Sequence, residues 1–316
     1  MPKYDEQTLK NICLKGDYKL VVSYLSDLDD GNELLEKYKS IYERGAYFLE
    51  TKDEKIVDFL HCYEDYLKWA LINEVTTEEC KESFLNKFEK FFPNVCNFDE
   101  IGDSVKAYFK ERGYYAQFGV TRPYPDLYLW SKQTMRIEEV ELPEAVEEIN
   151  VCEMDGIITR GWLNYLSMNK IGAGGWVTQG GANYFKDKYD IHSDDFKISL
   201  IKHEAQHFHD IKNYPKMQST DLEYRAKLVE LIYYREMECF FSFLREMCSD
   251  DDRTHPHSYA SRKIIQALSN RIFGKELETR PDLWTAEGSK ISSASLALLK
   301  EHSERLIDWD GESFIV

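Results

Sequence analysis

Apolar residues in the first hundred positions recur three and four apart. The run Asp53-Glu54-Lys55-Ile56-Val57-Asp58-Phe59-Leu60 continues through Tyr63, Tyr66, Leu67 and Leu71, which predicts an amphipathic helix of about five turns. The stretches from Leu9 to Leu25 and from Leu34 to Phe48 repeat the style with Tyr-rich faces. Thr77-Glu78-Glu79 opens another helix before Cys80, Phe84, Phe88 and Phe91-Phe92, and Pro93 is expected to stop it. Stripes of Tyr and Leu at this spacing read as packing faces. Residues 1–98 therefore form a helical N-terminal region, with no fixed repeat that would make it a solenoid. His61-Cys62 is read as structural, because adjacent helical residues point about 100° apart.

After Gly113 the pattern shortens. Tyr114 to Val120, Asp126 to Trp130, Met135 to Val140 and Glu147 to Cys152 are brief aromatic or β-branched runs, the first three divided by Thr-Arg-Pro-Tyr-Pro and Ser-Lys-Gln. They predict a small antiparallel sheet within residues 114–182. The acidic run from Val140 to Glu148 reads as a solvated strand face and turn. Gly172 to Gly181 places glycines on both sides of a short extended piece. That stretch fits two turns around a short strand, or an open edge strand that pairs with an extended peptide. It lacks the spacing of phosphate and dinucleotide loops.

Helical spacing returns over Asp190 to Lys212, where Phe196, Leu200, His203, His207 and Ile211 are expected on one inward face. Ser193 suits the N-cap, and Asp194 and Asp195 suit the positive end of the helix dipole. The chain breaks at Asn213-Tyr214-Pro215, and a second helix begins near Ser219-Thr220. Helices over 222–248, Ser258 to Phe273 and Ile291 to Leu306 complete the pattern. The expected class is α+β, mainly α. Residues 99–316 would form the second domain, with its sheet at about 114–182 and its metal-binding helices at about 193–248.

Composition narrows the function classes. Hydrophobic residues are 43% and aromatic residues 14% of the chain, enough for a packed interior and against disorder. A formal net charge of −17 opposes both a phosphate-tracking surface and an anionic membrane. Met1 to Glu6 lacks the apolar core of a signal peptide, and no apolar run reaches the roughly 20 residues that span a bilayer. The seven cysteines form no Cys-x-x-Cys pair and read as reduced. A soluble cytoplasmic protein with neither nucleic-acid nor membrane partners is expected. Asp250-Asp251-Asp252 reads as a solvated loop, since it lacks the ligand spacing of a calcium loop.

The stretch that carries chemistry is His203-Glu204-Ala205-Gln206-His207. On a helix the two imidazoles lie one turn apart on one face, in reach of one metal ion. Glu204 lies about 100° round from His203, placed to reach a water on that ion rather than to be its third ligand. On a buried helix, unpartnered ring nitrogens and a carboxylate each cost roughly 1 to 3 kcal/mol. Zn2+ would satisfy both rings at once. A catalytic zinc site needs a third protein ligand and an open position. The short connection after residue 213 brings the start of the second helix beside the end of the first, with Glu223 near the level of His207.

These residues resemble the gluzincin class of zinc metallopeptidases, in which a His-Glu-x-x-His helix is followed by a glutamate ligand on the next helix, often as Glu-x-x-Ala. The likeness covers about 30 of the 316 residues. It implies His203, His207 and Glu223 as metal ligands, Glu204 as general base, and Ala226 as the small residue that lets the helices approach. The implied activity is a zinc-dependent hydrolase, a metallopeptidase that cleaves peptide or protein substrates with a Glu-activated, zinc-bound water. Two alternatives stay open for the third ligand. Thr220-Asp221-Leu222-Glu223 also fits a capping box that would occupy Glu223, and Glu230 would then be the next candidate. Lys227 stands where one branch of the class has an aspartate supporting a ligand histidine, so Asp210 is a candidate for that support. His209 points away from the ion. For the oxyanion the candidates are His255, His257, Tyr214, Tyr233 and Tyr234. A rival class is a non-catalytic regulatory protein that senses metal or peptide on a metallopeptidase-like core, and a third is a hydrolase of a non-peptide amide.

Overall fold

The structure is a computed structural model that describes residues 3–49, 51, 53–73, 75–178, 181–247, 253–309, 311, 313 and 316. Cys248 and the run Asp250-Asp251-Asp252 lie outside the described residues. With 56% helix and 16% strand, the fold is α+β and mainly α. The chain divides into two compact units, each built from two stretches: residues 1–133 with 154–173, and residues 134–153 with 174–316. The boundary expected after residue 98 falls at the first residue of a helix inside the first unit.

The first unit opens with α1 (Glu6–Cys13), α2 (Tyr18–Ser26), α3 (Asn32–Tyr42), α4 (Val57–Ile72), α5 (Thr77–Phe88) and α6 (Phe98–Lys110). Short polar side chains start α1, α2 and α6: Asp5 accepts from Thr8 N, Asp17 from Lys19 N and Asn97 from Asp99 N. Thr76 and Glu79 form a reciprocal capping box. Helix α5 ends at Phe88, ahead of the proline expected to stop it. Phe91 and Phe92 lie in the following turn, where the Phe59 ring meets those of Phe88 and Phe91 at 4.8 and 4.9 Å. Aromatic contact in this core outweighs continuation of the helix.

Strand β1 (Tyr115–Thr121) pairs antiparallel with β2 (Tyr124–Glu141). The Ser131-Lys132-Gln133 stretch, expected as a turn, lies inside β2. Its side chains sit on a half-solvated strand, where polar residues are tolerated without a turn. Opposite it, in β3 (Val146–Arg160), Gly156 has φ of 65°, and a Cβ there would lie 2.0 Å from Ser131 Oγ. A short α7 (Gly161–Leu166) completes this unit.

In the second unit, β4 (Gly175–Thr178) pairs antiparallel with β5 (Gly181–Phe185), and β4 stands last in the strand order β1-β2-β3-β5-β4. The helices are α8 (His203–Asn213), α9 (Ser219–Tyr233), α10 (Met237–Glu246), α11 (Pro256–Phe273), α12 (Pro281–Ala286) and α13 (Gly288–Ile307). The helix expected over 222–248 is therefore two helices, separated where Tyr234 takes an extended backbone conformation. Among the described residues no helix is long and apolar enough to cross a membrane.

Helix α9 packs against α8, α11 and α13 and is buried on most of its surface. Four of its ionisable side chains have ionisable partners on neighbouring helices. Asp221 meets His302 at 3.2 Å, Arg225 meets Asp210 at 2.9 Å, Lys227 meets Glu246 at 2.7 Å and Glu230 meets His203 at 2.7 Å. Buried charges persist only with such partners. His203 at the start of α8 meets Glu230 near the end of α9, and Asp210 near the end of α8 meets Arg225 in its first half, so the two helices run antiparallel.

Two expectations about surface and interior change. Ile211 is 43% exposed, because the buried side of α8 runs through His203, Gln206 and Asp210 and leaves Ile211 at its margin. Glu147, in the acidic run expected to be solvated, is buried and meets His209 at 2.6 Å and Lys212 at 3.0 Å. Replacing Asp210 by Ala removes both acceptors of the Arg225 Nε–H. It should lower stability by about 3 kcal/mol in urea denaturation. A loss below about 1 kcal/mol, the level of an exposed pair, would show that the pair does not hold α8 to α9.

Candidate metal centre

The helix bearing the two histidines begins irregularly. Ser193 Oγ accepts from Phe196 N at 3.1 Å, the capping role expected of it. Asp195–Lys202 is then π-helical, with bonds that reach five residues back, and regular α-helix starts at His203. Such wide turns occur often at functional sites. A 3.6-residue pattern cannot show them, since the apolar spacing of Phe196 and Leu200 fits either helix.

His203, Glu204 and His207 hold ligand-type atoms within 4.8 Å of one another. The imidazole rings stand 4.6 Å apart and nearly perpendicular, at 86°. From α9, the Glu223 carboxylate comes between them, with Oε2 at 3.5 Å from His203 Nε2 and Oε1 at 3.4 Å from His207 Nε2. These separations exceed good hydrogen bonds. Donor atoms bound at about 2.0–2.1 Å to one tetrahedral zinc ion stand roughly 3.4 Å apart, and each of the two ring nitrogens has one Glu223 oxygen near that separation. Glu223 Oε2 is buried and makes no hydrogen bond of good geometry, although His257 Nδ1 lies 2.9 Å away. A carboxylate with one oxygen lacking a well-formed hydrogen bond, set against the Nε2 atoms of both His203 and His207, fits a cation shared by all three groups.

The capping alternative for Glu223 does not form. The N-cap of α9 is Gln218, and Thr220 Oγ1 is buried without a hydrogen-bond partner. Glu230 lies behind His203, its Oε1 2.7 Å from Nδ1. This contact leaves Nε2 directed at Glu223, the outer-shell arrangement common for metal-bound histidines. Asp210 does not fill that role, because both its oxygens accept from Arg225 Nε at 2.9 Å. His207 has no equivalent support, and its Nδ1 is buried without a hydrogen-bond partner among the described residues. His209 is engaged by Glu147, away from the site. Ala226 is fully buried.

Charge in the pocket follows from this packing. Burial alone would lower the pKa of His203, but its contacts with Glu223 and Glu230 outweigh that and raise it to about 10. A metal ion must therefore displace a proton here. Burial would raise the Glu223 carboxyl, yet His203, His207 and His257 around it hold it far below the ordinary carboxylate range. Glu204 is raised, chiefly by burial, with the two imidazoles partly offsetting the effect. A carboxylate raised in this way holds a proton more readily than an ordinary one.

The oxyanion candidates separate. His257, on α11, reaches Glu223. Tyr234 donates to Asp195, and the Tyr233 ring carries Lys202 Nζ at 3.8 Å. His255 is the N-cap residue of α11 and Tyr214 the C-cap residue of α8; among the described residues no contact ties either to His203, His207 or Glu223. Tyr189, which sequence reasoning missed, lies near the centre. Burial raises its hydroxyl, and the charges of Glu204, Asp195 and Glu230 add to this. A Cβ on Gly174 would stand 2.9 Å from that hydroxyl, so the glycine leaves it room. Nothing distinguishes Tyr189 among the 21 tyrosines of the sequence.

Compared with described protein families, characterised proteins and solved structures, the chain matches none. The geometry of the site stands on its own. Glu223→Gln should weaken zinc binding by more than the roughly 10–100-fold typical of an outer-shell loss, while His209→Ala leaves it unchanged, both read by competition with a chromophoric chelator. Wild-type affinity in the Gln variant would move the third ligand elsewhere.

Proposed function

We propose that the chain is a zinc-dependent hydrolase, a metallopeptidase acting on peptide or protein substrates. The observation that supports it most is the Glu223 carboxylate at 3.4–3.5 Å from both Nε2 atoms, with Glu204 beside the same pocket and held basic by burial. Zinc, when bound, supplies Lewis acidity and makes water acidic enough to ionise near neutral pH. His203, His207 and Glu223 would hold the ion, and Glu230 would fix the His203 ring. Glu204 would take the proton of the attacking water and pass it to the leaving amine. An extended peptide would add at β4, the edge of the strand order.

One contact favours the rival reading of a metal-sensing protein that does not cut. His257 places a third imidazole 2.9 Å from the ligand carboxylate, and an imidazole that closes the open position would silence the site. The two readings part on Glu204→Gln, examined with zinc analysis and a peptide-library digest. A hydrolase loses turnover in this variant while keeping its zinc. Hydrolysis retained by the variant would end the assignment of Glu204. Wild-type protein that binds zinc and cleaves no peptide would favour the sensor or the hydrolase of a non-peptide amide.

A further inference from the structure

One oxygen of Glu230 holds the His203 ring, and the other is held in turn. Ser199, in the π-helical segment four residues before His203, donates its hydroxyl to Glu230 Oε2 at 2.6 Å. The Cys239 thiol approaches the same oxygen at 3.9 Å. We infer that Ser199 is a positioning residue for the metal centre, acting through Glu230 to fix the aim of the His203 ring. This rests on the metal reading proposed above.

The physical basis is the softness of a glutamate terminus. The last torsion of a Glu side chain is broad and roughly two-fold, so a carboxylate anchored by one oxygen can turn and carry its imidazole partner with it. A second hydrogen bond on the other oxygen removes that freedom. At 2.6 Å the Ser199 contact has the length of a charge-assisted O–H···O bond, about twice as strong as a neutral one. The thiol is a weak donor and cannot replace it at its distance. Helical serines commonly bond back to their own helix, which slightly destabilises and bends it. Ser199 instead reaches across to α9, where the buried Glu230 accepts it. The relay Ser199–Glu230–His203 thus ties the irregular turn to the ring nitrogen that faces Glu223.

Zinc affinity of the full chain, measured by chelator competition, tests the relay in wild type, Ser199→Ala, Ser199→Thr, Glu230→Gln and the Ser199→Ala/Glu230→Gln double variant. Ser199→Ala should bind about 10-fold more weakly, the low end for loss of outer-shell support, and Ser199→Thr should restore affinity because the hydroxyl returns. The double variant should bind no more weakly than Glu230→Gln alone, since Ser199 acts only through Glu230. Cobalt-loaded Ser199→Ala should show a shifted visible spectrum, which a remote packing defect would leave unchanged. Should the alanine variant misfold, Ser199→Cys keeps the size with a weaker donor and should give the same ranking. Wild-type affinity in the Ala or Cys variant, or an additive double variant, would overturn the inference while leaving the metal reading intact. Absence of zinc binding in the wild type would overturn both.

Discussion

A carboxylate buried between two imidazoles is the constraint on which the second unit depends. Glu223 cannot be buried as a carboxylate without polar partners around it, and the structure supplies them from α8 and α11 as the rings of His203, His207 and His257. For those rings to converge, α8 and α9 must run antiparallel in one register. The Asp210–Arg225 and His203–Glu230 pairs hold that register at other levels of the same interface. The polar content of α9 is therefore a cause of the fold and not an intrusion into a hydrophobic core. The contacts of His203 with Glu223 and Glu230 favour its protonated ring, and on the proposed reading a metal ion would take the place of that proton.

Much of this arrangement was legible in the sequence, and the remainder was hidden for physical reasons. The spacing of His203 and His207, the break after Asn213 and the start of a helix near Ser219 are local signals, and each lies where the pattern placed it. The order of the two helices then brings Glu223 to the level of His207. The choice between capping and convergence on the histidines needed tertiary information, because the same four residues satisfy both patterns until a partner helix is present. Glu230 was weighed as a ligand, yet it is found behind the ring, since which oxygen meets which nitrogen depends on side-chain direction and not on spacing. Asp210 looked equally suited to support a histidine and is taken by Arg225, a charge fifteen residues away that no local rule connects to it.

Elsewhere the local rules were overridden. Ser131 to Gln133 carries turn chemistry but continues a strand, because strand pairing fixes the backbone and the side chains remain partly solvated. Glu147 appeared to belong to a charged surface and is buried against His209 and Lys212. The π-helical turn before His203 leaves no mark in apolar periodicity. The apolar pattern does not reveal the organisation into units: each compact unit takes two separate stretches of chain, which a single boundary in the sequence cannot represent.

The chemistry proposed for the site divides labour among three glutamates. Glu223 faces both Nε2 atoms, Glu230 holds the ring behind one of them, and Glu204 stands beside the pocket, made basic by burial. Each has the same side chain, and position alone assigns its task. The most direct measurement of this account is anomalous diffraction at the zinc edge from crystals of the zinc-loaded protein. The account predicts one ion per chain, bound by Nε2 of His203, Nε2 of His207 and the carboxylate of Glu223, with Glu204 outside its coordination. An ion bound by Glu204 in place of Glu223, or one located away from α8, would contradict it.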